Sequence, residues 1–397
     1  MVFICVIALN QFLWLNFAPV ATIVGRQLGL SVFRIGLLAS IFPIMNILLA
    51  VPVGAMLDAK GFRFTVSGGA AIMGASVLLR LRYTSYAWLF AGQAGIAVAQ
   101  PLILNSVSKF SSVWFDRDRG AVANGLGSMA MFVGMMAAMV LTPLLVSSAG
   151  LGNVLSLYAG ATVPGCLLFL MVARDNPSLS AVLKKEEEVY RGTHAYPDVL
   201  RTKDMPLLIG IIFTGMGFFN GLMTWMNELL APNGFTAVQT GAIGGTIIGA
   251  GALGAVVIPL LSNTLRRRKP FLVLASLVGG AATYPFLHTR RMGVAMFFGA
   301  MIGFFVISLL PIILQMTTEI VGERRTGTAT GLLMLAGSLG AVTVIYVLEG
   351  MKGITGSFRY SLWVIMALFS AALVLSLLIR ETYPGRQRQH GVPPLSR

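Results

Sequence analysis

Two short stretches of this chain set an aromatic ring among carboxamides, at helical spacing, inside otherwise apolar sequence. The first reads Asn10-Gln11-Phe12-Leu13-Trp14-Leu15-Asn16, and the second, in the later half, reads Asn220-Gly221-Leu222-Met223-Thr224-Trp225-Met226-Asn227. Asn10 and Trp14 lie four residues apart, as do Asn220 and Thr224, so each pair shares one helical face. Phe219 adjoins the second stretch, while Gln100, Asn105 and Gln315 bring amides to two further apolar segments. The centres of the apolar segments hold no acid and no base. A site of this make-up has donors, acceptors and ring faces but no fixed charge. It suits a quaternary ammonium held by cation–π attraction to Trp14, Phe219 or Trp225, or a neutral polar or aromatic solute held by stacking and amide hydrogen bonds. A phosphate or dicarboxylate would want a central Arg or Lys. The same amides would serve equally well as hydrogen bonds from helix to helix, because an amide facing lipid has no partner. Glu228, towards one end of its segment, is the candidate for proton coupling, with a solvated helix end as the plainer reading, and Glu349 is placed similarly. Arg80 and Arg82 are expected to snorkel to the outer surface.

These segments must be membrane helices. With 56% hydrophobic and 11% charged residues, the polar residues could not cover a soluble globule of 397 residues. The net charge of +15 comes in short clusters between apolar runs, which reads as a topology signal and not as a nucleic-acid surface. Cys5 and Cys166 fall in apolar segments and suggest buried thiols. The three histidines, His194, His288 and His390, are far apart, and no hydrolase or metalloprotease motif is present, so neither an enzyme nor a metal or cofactor site is expected.

Twelve apolar stretches have the length of a bilayer-spanning helix, near 2–24, 33–56, 64–82, 86–109, 120–147, 152–173, 206–230, 238–262, 269–288, 292–316, 326–349 and 358–380. The fold class is therefore all-α integral membrane, in two six-helix bundles. Residues 1–173 and 206–380 form the bundles, 174–205 a linker with the charge run Lys184-Lys185-Glu186-Glu187-Glu188, and 381–397 a tail. Val199 and Leu200 of the linker are expected at the bilayer interface. Lys and Arg concentrate on the side that holds both termini, so these are expected in the cytoplasm. The halves repeat more than the Trp motif. Gly29 and Gly36 are echoed by Gly234 and Gly241, while Gly125-Leu126 and Gly134 are echoed by Gly331-Leu332 and Gly340. Paired halves of this kind usually place a binding site between them.

After the second stretch comes Gly54-Ala55-Met56-Leu57-Asp58-Ala59-Lys60-Gly61-Phe62-Arg63. It resembles the signature between helices two and three of the major facilitator superfamily, with Ala59 and Phe62 where basic residues are common. The counterpart in the later half, Pro259 to Lys269, has Asn263 in place of the acid. The resemblance implies that Gly54, Asp58, Gly61 and Arg63 act in gating; Arg117, Arg119 and the amino end of the eleventh helix are candidate partners of Asp58, and the alternative is that Asp58 only caps or solubilises a loop. The Asn10 to Trp14 segment, with Gly92-Gln93, Ala99-Gln100-Pro101 and Ser112-Val113-Trp114-Phe115, is similar to the feline leukaemia virus subgroup C receptor-like branch, which includes choline, ethanolamine and haem-linked transporters. That likeness implies that Trp14 lines the substrate cavity and that Phe219 belongs to an aromatic pair. Asn220 and Phe132 depart from the branch pattern, at positions of a tyrosine and a glutamine.

The reading is a monomeric secondary transporter of the cell membrane that moves a small organic solute by alternating access. The solute-binding set is Asn10, Gln11, Trp14, Asn16, Gln100, Phe219, Asn220, Thr224, Trp225, Asn227 and Gln315. The competing readings are a receptor or scaffold on a transporter fold, and a proton-coupled symporter or an exporter of haem or a drug-like compound.

Overall fold

A computed structural model describes residues 2–107, 110, 117–174, 196–322 and 325–383, and every regular element among them is helical. Most of the expected linker and tail lies outside the described residues. Twelve helices are long and apolar enough to cross a membrane: α1 Val2–Leu28, α2 Val32–Leu57, α3 Ala59–Arg82, α4 Tyr86–Leu104, α5 Gly125–Ala149, α6 Leu151–Val172, α7 Met205–Asn233, α8 Ala237–Thr264, α9 Lys269–His288, α10 Met292–Val321, α11 Thr326–Thr355 and α12 Ser361–Leu378.

Three backbone features depart from smooth helices. The α-helix of α1 stops at Leu15, a 3-10 turn occupies Ala18–Val20, and helix resumes over Ala21–Leu28. Pro19 has no N–H and its ring crowds the carbonyl four residues back, so the chain breaks directly after the Trp14–Asn16 motif. In α10 the helix stops at Val306 and restarts at Leu309, where Pro311 cannot donate to the Ile307 carbonyl. Between α2 and α3 the connection is short. The helical path bends at Gly61, whose φ of 82° and ψ of 177° a side-chain-bearing residue adopts at a cost.

The chain divides into two compact units, one with the first six spans and residues 240–245, the other with the remainder of the last six. In the first, Phe3 of α1 meets Phe62 of α3 edge-on at 5.0 Å and Phe169 of α6 at 6.2 Å. In the second, Leu208, Ile312, Met316 and Leu333 of α7, α10 and α11 share a buried core. Val199 also belongs to that core, contrary to its expected interfacial place, while Leu200 is exposed.

The glycine repeat has a physical counterpart in each unit. Gly29 and Gly234 close α1 and α7 in left-handed conformation, at φ 60° and 87°. Gly134 of α5 lies so close to α1 that an added Cβ would collide with the Ala8 carbonyl, and Gly340 of α11 stands in the same relation to the Phe213 carbonyl of α7. Such approach lets membrane helices gain dispersion contact that bulkier residues prevent. Gly134→Ala and Gly340→Ala are each expected to destabilise the protein by about 1–3 kcal/mol through overpacking. Thermal melts in detergent check this, with Gly125→Ala and Gly331→Ala, which have open space around them, melting like the parent.

Candidate functional site

In the first unit the polar residues of α1 fall on two faces. Asn10 and Gln11 are buried; Asn10 Nδ2 approaches Met73 Sδ of α3 at 3.7 Å, and Gln11 Nε2 donates to Asn10 Oδ1 at 3.3 Å. Trp14, one turn beyond Asn10, is only half-buried and lies 6.1 Å from the Phe42 ring of α2. Gln100 is buried on α4, Asn105 is exposed, and Phe132 is half-buried on α5.

Asn16 is turned to a different task. Its Oδ1 accepts a 3.1 Å hydrogen bond from Arg80 Nη2, and the guanidinium also sits 4.5 Å from the centre of the Phe17 ring. Arg80 is fully buried, which corrects the expectation that it snorkels outward; Arg82 alone is exposed, over Trp88 at 5.0 Å. The room for it comes from Gly92 of α4, where an added Cβ would stand 2.6 Å from Arg80 Cγ. Pro19 frees Asn16 and Phe17 from the regular helix, and Arg80 braces the break that results. Two guanidinium nitrogens, Nε and Nη1, have no partner among the described residues.

The second unit uses its motif differently. Trp225 is fully buried, its indole N–H donates to the Ile345 carbonyl of α11 at 3.0 Å, and its ring packs 5.2 Å from Phe358. Asn220 Nδ2 donates back to the Met216 carbonyl of its own helix at 2.9 Å. Thr224 and Asn227 are buried, and Phe219 is half-buried. Glu228 pairs with Lys352 at 3.1 Å, both partly exposed, and the ammonium lies 4.8 Å from the Phe358 ring centre. Of the two repeated tryptophans, then, Trp14 is incompletely buried while Trp225 is occupied by packing and its hydrogen bond. Gln315 is exposed and donates to Glu319 at 3.4 Å, one helical turn away.

With this geometry in place, known proteins give a family. The profile of the Major Facilitator Superfamily matches residues 3–345. The chain belongs to that superfamily. It is therefore a multi-pass membrane transporter and not an enzyme. The choline/ethanolamine transporter flvcr2b of Danio rerio is 26% identical over 346 residues, covering 82% of this chain and 71% of that protein. Solute carrier family 49 member A3 of Xenopus tropicalis is 24% identical over 355 residues, 83% of this chain and 72% of that protein. The crystal structure of a bacterial homolog to the human lysosomal transporter Spinster, inward-facing and unoccupied, aligns with a TM-score of 0.71 at 17% identity over 95% of this chain and 92% of that one. At that identity the likeness speaks for the fold.

The superfamily signature occupies the α2–α3 bend. Gly54 has open space around it, Gly61 makes the bend, and Arg63 is exposed. Asp58, Arg117 and Arg119 hold helical positions, and their side chains lie outside the described residues. In the later half, where Asn263 stands in place of the acid, the nearby Arg268 pairs with acids far along the chain. Arg268 is 3% exposed and donates to Glu319 Oε1 through Nη2 at 3.0 Å and Nε at 3.3 Å. Thr382 donates to the other oxygen of Glu319 at 2.6 Å, and Glu381 accepts from the Arg268 backbone N–H at 2.8 Å. Sequence reasoning missed this cluster and Arg80 alike, since neither partner is close in sequence to its mate.

Both sites give stability predictions. Glu319→Leu strands a buried guanidinium and is expected to cost about 3–5 kcal/mol, whereas Arg268→Met with Glu319→Leu together cost less than the sum of the single changes. A double-mutant cycle of melting curves measures the difference. Arg80→Met leaves Asn16 Oδ1 without its donor and is expected to cost about 1–3 kcal/mol, with partial recovery in Arg80→Lys.

Proposed function

We propose that this protein is a secondary transporter for a small organic cation, such as a choline-like amine, or for a neutral polar metabolite. The observation that carries the proposal is Trp14, which is incompletely buried, one helical turn from the Asn10–Gln11 amide pair and beside Phe42. A quaternary ammonium binds an aromatic face without needing a carboxylate, because the ring quadrupole supplies the negative charge. The choline/ethanolamine transporters among the relatives favour the same chemistry. Gln100 is proposed as a further solute contact in the first unit and Phe219, Asn220, Thr224 and Asn227 as solute contacts of the second, where the buried and hydrogen-bonded Trp225 packs α7 to α11. The proposed cycle is alternating access, in which residues 1–173 and 206–380 exchange conformations and 174–205 links them, with gating by the signature around Asp58. Pairing of Glu228 with Lys352 favours uniport over proton coupling through that carboxylate. The Lys and Arg distribution favours both termini in the cytoplasm, and the protein is proposed to act as a monomer in the cell membrane.

Purified protein in liposomes tests this reading. Uptake of labelled choline and ethanolamine is expected above empty liposomes, and a proton uncoupler should leave the plateau unchanged. Trp14→Ala should weaken choline binding by about 2- to 30-fold, the worth of one cation–π contact, with the fold intact. Trp225→Ala should instead lower the melting temperature. A folded protein that binds solute but does not move it would favour a receptor.

A further inference from the structure

Outside glycine, only Asp204 and Arg266 have positive φ among the described residues, and Arg266 stands at 52° in the turn between α8 and α9. A side-chain-bearing residue in this region is strained, and such strain persists where the surroundings over-determine it. Here they do. The Arg266 N–H donates to the Asn263 carbonyl at 3.2 Å and the Arg267 N–H to the Ser262 carbonyl at 3.1 Å. Ser262 Oγ donates to the Arg267 carbonyl at 2.6 Å and accepts from Arg268 Nη1 at 2.9 Å. The turn therefore sends Arg268 inward to Glu319 and leaves Arg266 and Arg267 exposed.

Arg380 is exposed at the same end of the unit, because its neighbour Glu381 accepts from the backbone N–H groups of Arg268 and Lys269. The nearby acids are already engaged, Glu319 by Arg268 and Thr382, and Glu381 by those two N–H groups. Among the described residues neither Arg266 nor Arg267 is ion-paired. Just before them in the chain, Leu260 and Leu261 at the end of α8 and Leu265 in the turn are 60%, 45% and 61% exposed, an apolar surface that adjoins a membrane span. Uncompensated guanidinium groups beside exposed leucines match an amphiphile with an anionic phosphate over acyl chains, since guanidinium forks bind phosphate oxygens in pairs.

We propose that the α8–α9 turn is a binding site for the phosphate group of an anionic membrane phospholipid, held by Arg266 and Arg267 with Arg380 beside them. The inference is independent of the solute that the transporter carries. Native mass spectrometry of the full-length protein, with phosphatidylglycerol or phosphatidylcholine added to the detergent, tests it. The parent protein should retain phosphatidylglycerol in preference to phosphatidylcholine. Arg266→Gly with Arg267→Gln should weaken that retention by about tenfold or more, as expected for two arginines near an anionic headgroup. Arg266→Gly alone should melt at or above the parent temperature, because glycine adopts this backbone without strain. Arg267→Gln with Arg380→Gln gives a second variant that leaves the Arg266 backbone untouched. Arg290→Gln with Arg291→Gln, on exposed arginines between α9 and α10, should change nothing. Glycerol phosphate without acyl chains should compete poorly if the leucine surface contributes. Equal retention of the two lipids by the parent, unchanged retention in both turn variants, or equal loss in the Arg290/Arg291 control would overturn the proposal.

Discussion

Hydrocarbon offers no hydrogen bonds, so every polar group that enters the membrane with this chain must find its partner inside the protein. That constraint explains most of what the interior amides and charges do. The Trp225 indole is taken by the Ile345 carbonyl, the Asn220 amide N–H by its own helix, the Gln93 N–H by the Leu38 carbonyl, and one nitrogen of the Arg80 guanidinium by Asn16 Oδ1, while its other two nitrogens have no partner among the described residues. Trp14 is the member of the repeated tryptophan pair that is not fully buried. A residue that is partly open among many that are satisfied is where a solute has something to gain.

The two halves repeat their backbone more faithfully than their side-chain roles. Left-handed glycines end α1 and α7, and close-packed glycines join α5 to α1 and α11 to α7. These features depend on the absence of a side chain, which leaves little freedom to diverge. The polar groups beside the tryptophans are under no such restraint. In the first unit a buried arginine braces the broken end of α1, whereas in the second a glutamate and a lysine pair at a partly exposed helix end. Charge is thus kept to the helix ends in both units, and the span centres rely on amides and rings.

Sequence alone made the spans legible, because hydrophobic length is a local property that the bilayer thickness dictates. The repeated glycines were legible for the same reason, each being a single residue in a recurring context. The break in α1 had a signal in Pro19, although the stretch reads as continuous by hydropathy. The bend at Gly61 shows why the signature holds a glycine there. The Arg268–Glu319 pair, the Arg80–Asn16 bond and the Trp225–Ile345 bond were not legible, with partners 51, 64 and 120 residues apart and no local pattern to mark them. For the candidate site, the residue types could be read from the sequence. Which of them the fold itself would use could not, because that depends on helix packing.

The central claim is that solute meets the ring of Trp14. Of the five tryptophans, a protein that retains only Trp14, with Trp88, Trp114, Trp225 and Trp363 changed to Phe, isolates that ring as a fluorophore. Titration with choline, ethanolamine and neutral analogues, on protein shown to take up solute in liposomes, should give a saturable change in Trp14 emission at the concentrations that saturate uptake. Saturable uptake with no change in that emission would contradict the account.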